Sequence, residues 1–377
     1  MDKTTKIIIG VVIVAIIIIG GYYFIKGNRQ VNKEPIRIGI VLPMTGDVAS
    51  LGESARAATE AAVDEINNAG GINGRKLLAI AEDSKCAGPS AVSAVQKLID
   101  VDKVSAIVGD ICSGSVLAIA PIVEKNKIPL ISPCASNPTI TNAGDYIFRN
   151  YPSDSFQGKF AAEYIKNNLK YSKVAILYIQ NDWGNGLIKV FKDTFTTLGG
   201  TVTVEESYLS GTKDLRTQLA KIKSVNPEII YFAGYPEDTI SGLKQIKQMG
   251  IKSEIFGSDS WTDPDIAAKA GTAAENIKWV NIKTPSAPES LMKILEAKTG
   301  KKGEVPQCSL QSYDAVKLLE MTIKNSNVIS GEKIKEQLYK TTLSGFSGEV
   351  AFDENGDLKT ANYEIKTIKN GKMISAE

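Results

Sequence analysis

The sequence predicts an α/β protein built from two doubly wound parallel sheets. Three observations carry this reading. Short β-branched runs alternate with amphipathic helical stretches over about 250 residues, the pattern of parallel strands joined by helical crossovers. The strand series breaks once, at an irregular piece from 133 to 153, and then resumes. The chain has 377 residues, more than one such sheet requires.

The first series comprises IRIGIVL (36–42), LLAIAED (77–83), VSAIVGD (104–110) and IPLIS (128–132). The second comprises KVAILYI (173–179), TVTVEESY (201–208), EIIYFAG (228–234), SEIFGSD (253–259) and IKWVNIK (277–283). Between them, stretches such as 55–68, 91–102 and 156–168 place apolar residues at helical spacing. Parallel neighbours joined this way take right-handed crossovers. After Trp279 the pattern predicts helices near 288–299, 307–326 and 330–339. A hairpin over GEVAFDENGDLKTANYEIKTI follows, turning at Asp353-Glu354-Asn355-Gly356.

Composition narrows the function. With 44 Lys+Arg against 42 Asp+Glu the chain has no basic surplus for a phosphate backbone, so nucleic acid is excluded as an expected partner. The chain has no histidine, which removes the usual general base near neutral pH and the commonest ligand of catalytic zinc. The expectation is a binding protein rather than an enzyme, with no metal and no cofactor. No GxGxxG follows a strand and no GxxxxGK[ST] occurs, so neither a dinucleotide nor a nucleoside triphosphate has its usual cradle.

Residues 7–25 read IIIGVVIVAIIIIGGYYFI, 19 residues without a charge and flanked by Lys6 and Lys26. As a helix this run is about 28 Å long and spans a bilayer's hydrocarbon core. Tyr22, Tyr23 and Phe24 suit a membrane interface better than a cleavage site does. The segment is read as an uncleaved signal anchor within residues 1–33, with the polar KGNRQVNKEP as a linker and the rest of the chain exported. The first cysteine is Cys86, too far along for a lipoprotein anchor. Four cysteines in an exported chain imply at least one disulfide, and spacing alone leaves three complete pairings open.

In open α/β sheets ligands bind beyond the carboxyl ends of strands. Those ends carry MTGDVASLG, DICSGS, SPCASNP, QNDWGNG, GYPED and SDSW. Ser113 stands before a predicted helix whose first amides suit a carboxylate, although it serves equally as a plain cap. Ser136 can offer its amide and hydroxyl to a ligand or close a turn. Asp259 can pair with an ammonium, while Asp263 is the better cap for the helix after Pro264. Trp183 and Tyr235, beside glycines at strand ends, can wall a small ligand. Together these groups would recognise a zwitterion.

The strings IRIGIVLPMTGDVASLG, GGINGRKL, EDSKCAGP, VGDICSGSV, IPLISPCASNPTITNAGDYIFRN, PSDSFQG, NDWGNG and FAGYPED occur in order from about Ile36 onward. They resemble the branched-chain amino acid (Leu/Ile/Val) binding proteins of ABC transporters, a group of type 1 periplasmic binding proteins. The resemblance implies two lobes of α/β fold joined by three crossover strands. Lobe 1 would take residues 34–152 and 281–360, and lobe 2 residues 153–280 and 361–377, with crossings near 149–153, 280–283 and 358–363. It also implies that a small-molecule amino acid is trapped between the lobes and passed to an ABC permease with its ATPase subunits.

Carried over residue by residue, Ser113 and the amides at Ser113 and Ser136 resemble a carboxylate seat, and Ala135 belongs to the same ligand-binding set. The Cys134 carbonyl, the Ser136 hydroxyl and Asp259 resemble an ammonium seat, and Trp183 and Tyr235 close the pocket. Cys86 and Cys112 match a first-lobe disulfide. The chain departs from the pattern at Asp259, where Glu is typical, at Leu51, where Trp is common, at Cys134, which replaces a small residue, and at Cys308, where an aromatic is expected. Losing two aromatics predicts a pocket with room for more than valine. Whether Cys134 and Cys308 pair is left open. So are an amide, urea or aromatic-acid ligand and a sensing role without transport.

Overall fold

In the computed structural model, which describes Asp2 and residues 34–285, 287–301 and 305–376, the first sheet grows outward from β1 (Ile36–Leu42). All but Arg37 of its seven residues are buried, as expected of a strand covered on both faces. It pairs in parallel with β2 (Leu77–Asp83) and β3 (Ile107–Gly109), and β4 (Leu130–Ser132) and β5 (Ile147–Arg149) complete the order β2-β1-β3-β4-β5. Helices α1 (Ala49–Asn68), α2 (Gly88–Asp100) and α3 (Ser113–Asn126) connect the strands. Because β1 alternates, Ile38, Ile40 and Leu42 enter one core cluster while Val41 enters the cluster on the other face.

After β5 the chain crosses at 150–153 into a second α/β unit. Helices α4 (Asp154–Glu163), α5 (Asp182–Thr197), α6 (Arg216–Val225), α7 (Pro236–Gln248) and α8 (Pro264–Ala270) alternate with β6 (Lys173–Ile179), β7 (Thr201–Tyr208), β8 (Ile229–Ala233), β9 (Glu254–Gly257) and β10 (Lys278–Ile282). A single cluster around Ile176, Phe191, Phe232 and Trp261 forms its core. The chain then returns. Helices α9 (Glu289–Thr299), α10 (Ser309–Lys324) and α11 (Gly331–Leu338) bury Leu291, Leu319 and Ile334 with Ala58 and Ile66 of α1, so they belong to the first lobe's core.

The C-terminal stretch differs from expectation. Its turn forms at 353–357, where Gly356 N–H donates to Asp353 O (3.2 Å) and Phe352 bridges Leu358. The flanking strands take other partners. β11 (Leu343–Gly345) pairs with β12 (Gly348–Val350), and β13 (Tyr363–Lys369) lies antiparallel between β10 and β14 (Lys372–Ser375) in the seven-stranded second sheet. The reason is that 353–357 is held by the first lobe while β13 finds an open edge on β10 in the second. Asn370 and Gly371, both at positive φ, make the tight turn between β13 and β14. The piece read as irregular contains β5, whose three residues are too few to show a period.

Buried Arg149 fixes this junction. Its guanidinium donates to both Asp357 carboxylate oxygens (2.5 and 2.7 Å) and to the Asn137 carbonyl (2.8 Å), tying β5, the turn at 353–357 and the 133–138 loop together. The segment read as a signal anchor, 7–25, lies outside the described residues. Among the described residues, no helix is long and apolar enough to cross a membrane.

Candidate ligand-binding cleft

The strand ends of both sheets converge on a cleft between the lobes. From the first, β3 leads through Asp110 and Cys112 into α3, and β4 leads into Cys134–Ala135–Ser136. From the second, β6 leads to Asn181, whose side chain caps α5 by accepting from Gly184 N–H (2.8 Å) and donates to Tyr235 Oη (3.3 Å). That cap orients Trp183 on the first turn, where its ring stacks on Tyr235 at 5.1 Å and 14°. β9 delivers Asp259 at the start of a short 3₁₀ turn, and Asp263 caps α8 by accepting from Asp265 N–H.

A cavity of about 30 Å³ lies where these elements meet. It is lined on one side by Leu51, Ile111, Cys134 and Ser136 and on the other by Trp183, Tyr235, Asp259 and Ser260, with Tyr151 and Gln307 at its hinge end. It has room for about one or two water molecules, so any larger guest enters with the lobes parted. The roomier pocket expected from the loss of two aromatics is not open space here. Cys134, joined to Cys308 in a disulfide (Cα–Cα 5.4 Å), and the stacked Trp183–Tyr235 pair stand in the cavity's walls.

Behind the cavity runs a hydrogen-bonded chain of buried groups. The Ser136 hydroxyl donates to Asp154 Oδ2 (2.9 Å), and Gln157 Nε2 donates to Asp154 Oδ1 (2.8 Å). Gln157 Oε1 accepts from the Asp259 amide (3.0 Å), and Tyr151 Oη donates to Asp259 Oδ2 (2.6 Å) while accepting from Gln307 Nε2 (2.7 Å). Because the Ser136 proton is committed to Asp154, its oxygen faces the cavity as an acceptor.

Burial raises both carboxyls. Asp259 is pushed up to about 6, with Tyr151's donation pulling the other way, and Asp154 is pushed well above the usual range by burial and then by the charge of Asp259. Neither carboxylate has a Lys or Arg at ion-pair distance among the described residues, since the nearby Arg149 is taken by Asp357. A cation placed between Ser136 and Asp259 would meet acceptors and relieve this cost.

The lobes touch at both ends of the cleft. The Asn137 side chain donates through Nδ2 to the Asp182 carbonyl, and Ser210 donates to Asp47 (3.2 Å). Partly buried Lys301 donates to Asp263 (2.9 Å) and to Ser50 (2.7 Å). Gly114, in the first turn of α3, has Asp182 against it so closely that a Cβ would sit 2.4 Å from the carboxylate.

A sequence model described as "Periplasmic binding protein" matches residues 35–372. The chain belongs to this family. A periplasmic binding protein similar to it over 340 residues, at 30% identity, is the leucine-, isoleucine-, valine-, threonine- and alanine-binding protein of Pseudomonas aeruginosa, with 90% of this chain and 91% of that one covered. Two solved structures share the fold. A leucine-binding protein of Thermotoga maritima superposes with a TM-score of 0.83 at 30% identity, covering 91% of this chain and 98% of that one. A branched-chain amino acid transporter substrate-binding protein of Streptococcus pneumoniae, in complex with isoleucine, does so with a TM-score of 0.82 at 28% identity, covering 90% and 97%.

Within this periplasmic binding protein, Leu51, Cys134, Ser136, Trp183, Tyr235 and Asp259 line one cavity. Ser113 does not. It is the first residue of α3 behind Cys112, accepts from Asn137 N–H (3.2 Å), and opens on an adjoining crevice shared with Trp183 and Tyr235. Ala135 is buried with its amide donating to Ser132 Oγ (3.0 Å), and Cys308 lines a separate hinge-side chamber. Cys86 and Cys112 form a disulfide (Cα–Cα 5.5 Å) across the approach to α3.

Sequence reasoning assigned no role to Tyr151, Asp154, Gln157 or Gln307. For two of them a signal existed. Asp154 and Gln157 sit three apart in PSDSFQG, which places both on one face of the first turn of α4. Gln307 has no local signature, because only the return of α10 to the first lobe brings it to the cleft.

Proposed function

We propose that this protein is the extracytoplasmic receptor of an ABC importer, capturing an apolar, branched-chain L-amino acid between its lobes and delivering it to the permease. The observation that carries the reading is the buried Asp259 in the wall of a cavity whose Ser136 is backed by buried Asp154, and whose other walls include Val48, Leu51, Ile111, Trp183 and Tyr235. That polarity suits an ammonium joined to an aliphatic side chain. The ligand names of the Pseudomonas, Thermotoga and Streptococcus relatives support the same class.

In this reading the Ser136 hydroxyl, the Cys134 carbonyl and Asp259 hold the ammonium, while the amides at the start of α3, Ser113 and Ser136 hold the carboxylate. Leu51, Trp183 and Tyr235 enclose the side chain. Residues 34–152 with 281–360 form the receiving lobe, and 153–280 with 361–377 the closing one. Binding needs no catalyst, because a ligand that touches both lobes favours the closed state by its differential contacts. Residues 7–25 tether the receptor to the membrane beside its permease and ATPase partners.

A thermal-shift panel of L-amino acids, short amides, urea and benzoate on the full-length protein tests the reading. A ligand at 100 times its dissociation constant adds about 2.7 kcal/mol of stability. Leucine, isoleucine or valine should give the largest shift. A shift with benzoate or an amide and none with these three amino acids would sink it.

A further inference from the structure

Two chambers meet at the hinge end of the cleft. The central cavity, about 30 Å³, has Cys134 in its wall, and a second chamber of about 220 Å³ toward the crossover strands has Cys308 in its wall. Tyr151, Asp259 and Gln307 line both. The Cys134–Cys308 bond and the hydrogen bond from Gln307 to Tyr151 (2.7 Å) therefore stand between one space and the next. The larger chamber is not a purely polar water pocket, because Ile282, Pro285, Val305 and Leu310 contribute apolar surface beside Asn281 and Glu364.

We propose that the Cys134–Cys308 disulfide is a partition that fixes the size of the ligand's side chain, and that removing it lets an aromatic side chain reach the hinge-side chamber. The inference rests on the amino-acid reading above. The bond joins segments 174 residues apart, the loop after β4 and the residue that precedes α10, so it fixes the distance between two parts of the wall that the chain does not otherwise connect locally. Cys308 also holds φ +68°, a conformation that residues with a Cβ disfavour. Without the bond the backbone gains by relaxing, and the wall can retreat.

On the near side the guest meets Val48, Leu51 and Ile111, which suit a short aliphatic group. A ring needs more depth. Depth of that kind lies past the two sulfurs and Gln307, in the hinge-side chamber.

Titration calorimetry with L-valine, L-leucine and L-phenylalanine, on the full-length parent and on Cys134→Ala/Cys308→Ala, reads this directly, because Cys86–Cys112 is left intact. The parent should prefer leucine, and the double variant should lose at least about tenfold of its leucine-over-phenylalanine preference, the scale on which a hydrophobic pocket discriminates size. An unchanged preference overturns the partition and leaves the amino-acid reading standing. A parent that binds none of the three overturns both. Gln307→Ala, which keeps both disulfides, should shift the preference the same way by a smaller factor. If circular dichroism shows the double variant unfolded, an unchanged preference in Gln307→Ala overturns the proposal by itself.

Discussion

The two walls of the cleft are held by different means. All four cysteines stand in the first lobe, where one disulfide braces the approach to α3 and the other ties the Cys134–Ser136 loop to α10. Arg149 and Asp357 secure the same loop through the Asn137 carbonyl. The second wall has no covalent brace. Trp183 and Tyr235 rest on each other and on the Asn181 cap, and Asp259 is held by Tyr151 and Gln157. The difference fits a division of labour in which the first wall is a preorganised seat and the second is the part that arrives with charge and apolar cover.

The charge should matter most. Asp259→Ala removes the counterion of a buried ammonium and should weaken leucine binding by about 2–5 kcal/mol in calorimetry, with little loss of thermal stability. Equal affinity in parent and variant would show that the second wall contributes no charge. Bracing of the seat comes next. Cys86→Ser/Cys112→Ser, whose bond spans 26 residues of sequence, should lower unfolding stability by about 3 kcal/mol in a denaturant titration. A melting curve like the parent's would mean that the first wall is rigid without its brace.

Aromatic cover is smaller still. Trp183→Ala should cost about 1–2 kcal/mol of leucine affinity, since a ring pair contributes about 1 kcal/mol beyond its buried area. An unchanged dissociation constant would remove Trp183 from the pocket.

Proton linkage gives the gentlest contrast. Burial holds Asp259 at about 6, above its unfolded value, so the free native state binds the extra proton between about pH 4 and 6. This group's contribution to stability is therefore present at low pH and is lost as pH rises through about 6. A ligand ammonium needs the ionised form, so affinity should rise from pH 5 to 7, by at most about tenfold per pH unit. Asp238, pushed up to about 7 chiefly by burial and then by Asp47, titrates nearby. Asp259→Asn should flatten the affinity profile and Asp238→Asn should leave its slope, as calorimetry at three pH values would report.

Much of this was legible beforehand because the signals are local. β1, β2, β6 and β7 end where their β-branched runs end, and Asp263 caps α8 as its position before Pro264 suggests. β5 escaped because three residues carry no period, and the hairpin after 348 escaped because its turn and its strands are claimed by different lobes. In the cleft, Trp183, Tyr235 and Asp259 are singled out by their places at strand ends, and all three line the cavity. Tyr151 and Gln307 are not singled out, since their partners lie 108 and 156 residues away along the chain. Pairing of Cys134 with Cys308 was likewise invisible, because only the return of α10 to the first sheet brings them together.

The reading stands or falls on whether the cleft demands an ammonium. Calorimetry of the full-length protein with L-leucine and with 4-methylpentanoate, which keeps the carboxylate and side chain but lacks the amine, asks this directly. Leucine should bind, and the deaminated acid should bind at least about 100-fold more weakly, because it leaves the buried acceptors at Ser136 and Asp259 unpaired. Equal binding of the two would contradict an amino-acid site and point to a carboxylic-acid receptor.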